Sequence, residues 1–120
     1  MIGSSTHSYP KSARLRAAPE FQAVFQGGLK HSGVFFRLYF LPDSAGRPRL
    51  GMAVPKKAVP LSVERNRIKR VCRESFRLAV ALPAGDYVLV AQRRAASADN
   101  GQLRGELTRL FGVAGLPAGV

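Results

Sequence analysis

Ser62-Val63-Glu64-Arg65-Asn66-Arg67-Ile68-Lys69-Arg70-Val71-Cys72-Arg73-Glu74-Ser75-Phe76-Arg77 is the stretch that decides how this chain folds. On a helical wheel, Ile68, Val71, Cys72, Ser75 and Ala79 gather on one side, and Asn66, Lys69, Arg70, Arg73 and Arg77 on the other. A helix with an apolar stripe and a cationic stripe is anchored against a core and open to a partner at once. Ser62 is placed to cap it, and Pro83-Ala84-Gly85 stops it after Ala81. A solvated face normally mixes charge signs. Here only Glu64 and Glu74 interrupt the cations, with Glu74 placed to pair with Arg70 or Arg77.

Upstream, Val34 to Leu41 is rich in strand formers, with Phe36, Leu38 and Phe40 on one side and Phe35, Arg37 and Tyr39 on the other. Pro42 to Gly46 reads as a turn, and Leu50, Met52 and Val54 alternate in the next run, so the two runs predict an antiparallel hairpin. Pro55 to Pro60 breaks the pattern and carries the Lys56-Lys57 pair. Nearer the start, Pro19-Glu20 opens a helix with Phe21, Val24 and Phe25 on one face; Gly27-Gly28 ends it, and a short extended piece follows over Leu29 to Ser32. Downstream, Asp86 to Gln92 is the unbroken apolar run of a strand covered on both faces. Arg93 to Asn100 reads as a loop, and a last helix from Gly101 to Phe111 sets Leu103, Leu107, Leu110 and Phe111 on one side.

The predicted fold class is α/β (α+β), a small mixed sheet of about four strands with three helices. Residues 1–13 are expected to be a flexible basic leader, 14–111 the folded domain, and 112–120 a frayed tail.

At 120 residues and 46% hydrophobic content the chain has room for one core. No run approaches the roughly 18 apolar residues of a membrane span, and Met1 to Arg16 lacks the apolar core of a secretory signal. The lone Cys72 excludes an internal disulfide, and a reducing cytoplasm is the expected location. Lys and Arg number 19 against 7 acids, for a net charge of +12, and fourteen of the cations are arginine. Guanidinium forks suit phosphate, and such an excess repels itself unless a polyanion covers it. Nucleic acid fits better than an anionic membrane, because the apolar stripe of the basic helix is committed to its own core. Single-stranded RNA recognition stacks bases on aromatics beside a cationic track, which Phe21, Phe25, Phe36 and above all Tyr39 are placed to supply. Duplex DNA in contact with the basic helix, or ribosomal RNA, are the alternatives.

Catalytic chemistry is missing. His7 and His31 are read as surface residues rather than an acid–base pair, and the acids are too dispersed to hold two metal ions. Cys72, on the apolar stripe, reads as a buried structural thiol. No catalytic or metal-ligating residue is assigned.

The Arg65-Asn66-Arg67-Ile68-Lys69-Arg70 string resembles the signature of the bacterial ribonuclease P protein family. Arg14-Leu15, Phe21 to Phe25 and Gly28 are similar to that family's opening helix, Arg49 to Lys57 to its pre-helix strand and lysine pair, and Asp86 to Ala91 to its later strand. The resemblance implies a left-handed β-α-β crossover around the basic helix, against the usual hand. It also implies a subunit that joins a catalytic RNA to remove the 5′ leader of precursor tRNA, with Mg²⁺ held mainly by the RNA and no obligate protein partner. Carried over by position, Phe21, Phe25 and Tyr39, with Phe36 beside them, line a leader groove between the first helix, the sheet and the basic helix. Lys56, Lys57, Arg65, Asn66, Arg67, Lys69, Arg70, Arg73 and Arg77 meet RNA. The loop Ala58 to Glu64 departs from the family pattern in lacking its Gly and extra basic residues.

Overall fold

The computed structural model describes residues 18–42 and 46–114, with side chains from Phe21 onward. The expected leader, the Arg14-Leu15 pair of the opening block, residues 43–45 of the expected turn and the end of the tail lie outside them. In chain order the elements are α1 (Ala18–Gly27), β1 (Leu29–Ser32), β2 (Phe36–Pro42), β3 (Pro48–Ala53), α2 (Ser62–Leu78), β4 (Gly85–Ala91), a 3₁₀ turn (Arg93–Ser97) and α3 (Asn100–Val113).

The strands form one mixed sheet in the order β1-β2-β4-β3. β4 lies antiparallel to β2, with Leu38 opposite Leu89, and parallel to β3, with Leu50 opposite Tyr87. The predicted β2–β3 hairpin is therefore wrong: β4 is inserted between them, and the hairpin is instead β1–β2, with Leu29 opposite Phe40. The reason lies in β4 itself. Tyr87 and Leu89 are buried on one face and Val88 on the other, so this strand needs neighbours on both edges and cover on both faces. The β3–α2–β4 unit supplies the parallel neighbour. Gly85 opens β4 at φ 144°, and a side chain there would collide with the backbone of Leu41 and Pro42.

One face of the sheet carries the main core. Ile68, Val71, Cys72 and Phe76 of α2 and Leu103, Leu107, Leu110 and Phe111 of α3 pack on Phe36, Leu38, Phe40, Leu50, Tyr87 and Leu89. Phe76 takes the place in the buried stripe predicted for Ser75. Tyr87 is the centre of an aromatic cluster, stacked on Phe40 at 4.4 Å and edge-on to Phe76 and Phe111. Its hydroxyl donates to Pro83 O, and burial raises its pKa. The opposite face is covered by α1, whose Val24 is buried on Val88 with Phe21, Tyr39, Leu41 and Val90 around it.

Three local expectations are corrected. Ser62 is the first helical residue rather than the cap; Leu61 occupies the cap position with no side-chain bond, and the helix ends at Leu78. The predicted loop after β4 holds the 3₁₀ turn, and then a capping box in which Asp99 Oδ1 accepts from Gln102 N at 2.8 Å starts α3. His31 is not a surface residue: it sits opposite Leu38, so it shares that residue's core-facing side and is buried.

A contact absent from the sequence reading ties α3 to the β1–β2 turn. The buried Glu106 carboxylate accepts from the backbone N–H of Val34 at 2.7 Å and of Phe35 and Phe36 at 2.8 Å each. A side chain on Gly33 would overlap that carboxylate and push it off these bonds.

Candidate nucleic-acid interface

Strand alternation sends Arg37, Tyr39, Val88 and Val90 to the α1 side of the sheet. α1 packs Val24 on Val88, with Leu41 and Val90 beside them. The Phe25 ring meets Tyr39 edge-on at 4.9 Å and is 42% exposed; Tyr39 is half-buried and Arg37 is exposed. Phe21 is partly buried against the same Val24 and Val88. Three of the four expected groove aromatics therefore come together. Phe36 does not: it is fully buried in the main core on the opposite face, because it alternates in phase with Leu38 and Phe40. The basic helix likewise does not border these aromatics, since α2 packs on the other face of the sheet.

Cations meet at one end of the sheet. β3 and β4 are parallel, so the chain leaves both toward the same end. Lys56 and Lys57 follow β3, Arg93 and Arg94 follow β4, and α2 begins there; all four of these side chains are exposed. Arg37, opposite Val90, lies near that end of β2. Arg93 and Arg94 were missed in the sequence because only the parallel pairing brings them beside the lysine pair.

Along α2 the cations divide in two. Arg65 Nη1 donates to Val59 O at 3.0 Å and to Pro60 O at 2.7 Å, pinning the loop that enters the helix. Arg67 Nε donates to Glu64 Oε1 at 2.6 Å, and its Nη1 to Asn100 Oδ1 at 2.8 Å, joining α2 to the start of α3. These two arginines hold the scaffold. Asn66, Arg70 and Arg77 are exposed, Lys69 and Arg73 are half-buried, and none of these cations has an ion pair among the described residues. Glu74 turns to Arg104 of α3 at 3.5 Å, not to Arg70 or Arg77 as its spacing suggests.

The carboxylates explain the imbalance. Asp86 takes a two-pronged bond from Arg49 at 2.7 and 3.0 Å, Asp99 caps α3, Glu106 holds the turn, and Glu64 and Glu74 are paired. Each acid whose side chain is described is engaged within the fold, so the outer stripe of α2 has no free anion among them. The described residues hold no group of three His, Cys, Asp or Glu able to bind a metal ion. Cys72 is buried, which pushes its thiol up to about 12 against the opposing field of Arg73, so it is no thiolate nucleophile.

The Ribonuclease P family profile matches residues 9–115. This chain belongs to the ribonuclease P protein family. A ribonuclease P protein component of Halorhodospira halophila is 37% identical over 110 residues, covering 90% of each chain. One from Xanthomonas oryzae is 42% identical over 114 residues, covering 92% of this chain and 78% of that one. Among solved structures, the Staphylococcus aureus RNase P protein superposes with a TM-score of 0.79 at 27% identity, covering 87% of this chain and 96% of that one. The RNase P protein of Thermotoga maritima superposes with a TM-score of 0.72 at 26% identity, over 82% and 94%. The three helices and four-stranded mixed sheet are those of the ribonuclease P proteins, and a role confined to the ribosome is not favoured. No helix among the described residues is long and apolar enough to cross a membrane.

Proposed function

We propose that this chain binds the catalytic RNA of ribonuclease P through the outer stripe of α2 and the cationic end of the sheet, and the single-stranded 5′ leader of precursor tRNA through the α1-side aromatics. The RNA then removes the leader to leave the mature 5′ end. The observation that carries this reading is the split among charges: every acid whose side chain is described is satisfied internally, while Lys69, Arg70, Arg73 and Arg77 have no ion pair among the described residues. Phosphates satisfy such a stripe, and Phe25 beside Tyr39 offers a ring to an unstacked base. Arg65 and Arg67 support the site from behind, and Lys56, Lys57, Arg93 and Arg94 extend it.

The residues present do not fit a metal centre, since the described carboxylates are committed to the fold. We assign the Mg²⁺ to the RNA, and the cytoplasm, where precursor tRNA is made, as the site of action. The test is reconstitution with the cognate RNA. Adding the protein lowers the Mg²⁺ required for cleavage, and Phe25→Ala weakens binding of leader-bearing precursor by about 1–3 kcal/mol while leaving mature tRNA affinity unchanged. Equal cleavage by the RNA with and without protein at low Mg²⁺ would overturn the reading.

A further inference from the structure

The entrance to α2 presents two large aliphatic side chains to solvent inside the cationic region. Leu61 is 63% and Val63 68% exposed. The loop before them is well held. Val59 points inward and is fully buried, its N–H donates to Pro55 O at 2.9 Å, and Arg65 binds the carbonyls of Val59 and Pro60. The amides of Glu64 and Arg65 both donate to Leu61 O, at 3.1 and 3.0 Å, which fixes the first turn. With Val59 filling the interior place, Leu61 and Val63 are held outward.

Helix geometry gives that exposure a direction. At ~100° per residue, Val63 stands about 60° from Asn66, 20° from Arg70 and 40° from Arg77, and about 150° from the middle of the buried stripe. Val63, Asn66, Arg70, Arg73 and Arg77 thus form one outward row, apolar at its head and cationic along its length. Glu64 lies to the side, paired with Arg67, and Glu74, which stands in the row about 20° from Val63, is paired with Arg104 of α3. No rotation of α2 buries Val63 without exposing Ile68, Val71 and Cys72.

We propose that Leu61 and Val63 form an apolar contact of the RNA interface, packing against the face of an unstacked base or ribose of the catalytic RNA whose phosphates lie along Arg70, Arg73 and Arg77. RNA is the occupant because Arg70, Arg73 and Arg77 of the row have no ion pair among the described residues while Glu74 within it is held by Arg104, and a ribose or base presents apolar surface within one nucleotide of a phosphate. The proposal rests on the RNA-binding reading of α2 above. The arginines supply charge-dependent attraction, and the aliphatic pair supplies a salt-independent share that fixes where along the RNA the helix start rests.

The test is a double variant, Leu61→Asn with Val63→Thr, in the full-length protein. Asn is a better residue than Leu at a helix cap, and Thr keeps the β-branched shape, so thermal stability is retained. Affinity for the catalytic RNA is measured across a salt series beside wild type and Arg70→Ala. The expected result is about tenfold weaker binding at every salt concentration with an unchanged salt slope. Wild-type affinity in the double variant, with Arg70→Ala still flattening the slope, overturns the apolar contact and leaves the RNA-binding reading standing. If the double variant changes the slope itself, the contact is not apolar and the proposal fails. If neither variant alters binding, both the proposal and the reading of α2 fall.

Discussion

Arg70→Ala separates a phosphate contact from a scaffold contact within a single helix. Arg70 is exposed and has no ion pair among the described residues, so its removal leaves folding stability within about 0.5 kcal/mol. Four α2 cations share this lack of an ion pair: Lys69, Arg70, Arg73 and Arg77. If each neutralises one RNA phosphate, these four contribute about −3.6 to the slope of log K against log salt, and about −2.7 once Arg70 is gone. Over a fourfold rise in salt their share alone lowers the wild-type affinity roughly 150-fold and the variant's roughly 40-fold. Filter binding of the catalytic RNA at five salt concentrations measures both slopes, and a thermal melt checks the fold. Arg65→Ala is the counterpart. It releases the carbonyls of Val59 and Pro60 and is expected to lower the melting temperature. An Arg70→Ala slope equal to wild type, with affinity retained, would refute the assignment of phosphate to this row.

Glu106→Gln removes the negative charge and at least one of the acceptors that serve Val34, Phe35 and Phe36; leaving a buried N–H unpaired costs about 1–3 kcal/mol, read as a fall in the urea midpoint and faster exchange of those amides. Arg49→Ala strands the buried Asp86 carboxylate and is expected to cost about 3 kcal/mol, more than Asp86→Asn combined with it; equal losses would mean that the pair is not what holds β3 to β4. The Cys72 thiol is neutral when folded, with a pKa raised by burial from 9.0 to about 12. Its contribution to stability is therefore intact below pH 9 and declines between pH 9 and 12, by up to ~1.4 kcal/mol per pH unit. Tyr87 shifts in the same direction. Cys72→Ala should flatten that alkaline decline in urea melts, and parallel profiles would count against the buried thiol as its cause.

Helices were legible because their signals are local. The 3.6-residue period of Ile68, Val71 and Cys72 identifies α2, and Leu103, Leu107 and Leu110 identify α3. The partner of a strand is not a local property. β2 and β3 alternate well and the sequence between them is rich in turn formers, so nothing within either run reveals that β4, more than thirty residues on, lies between them. Phe21, Phe25 and Tyr39 are neighbours, as expected, whereas Phe36 is not with them, although its phase with Leu38 and Phe40 already placed it on the far face. The Arg-Asn-Arg string marks the site by composition, yet the string does not say which arginine faces outward. That depends on loop carbonyls at Val59 and Pro60 and on Asn100 in α3. Glu106 did leave a trace, as a lone acid flanking the apolar side of α3.

The strand order also sets when this protein can fold. β2 and β3 share no ladder until β4 enters between them, so a nascent chain ending before Gly85 has only the short β1–β2 ribbon to build on. Sheet closure must wait until Ala91 has left the ribosome, and until then two strand edges stand open to other chains. Nonlocal closure of this kind slows folding. A pause in translation between α2 and β4 would prolong that exposure, whereas one after α3 would not.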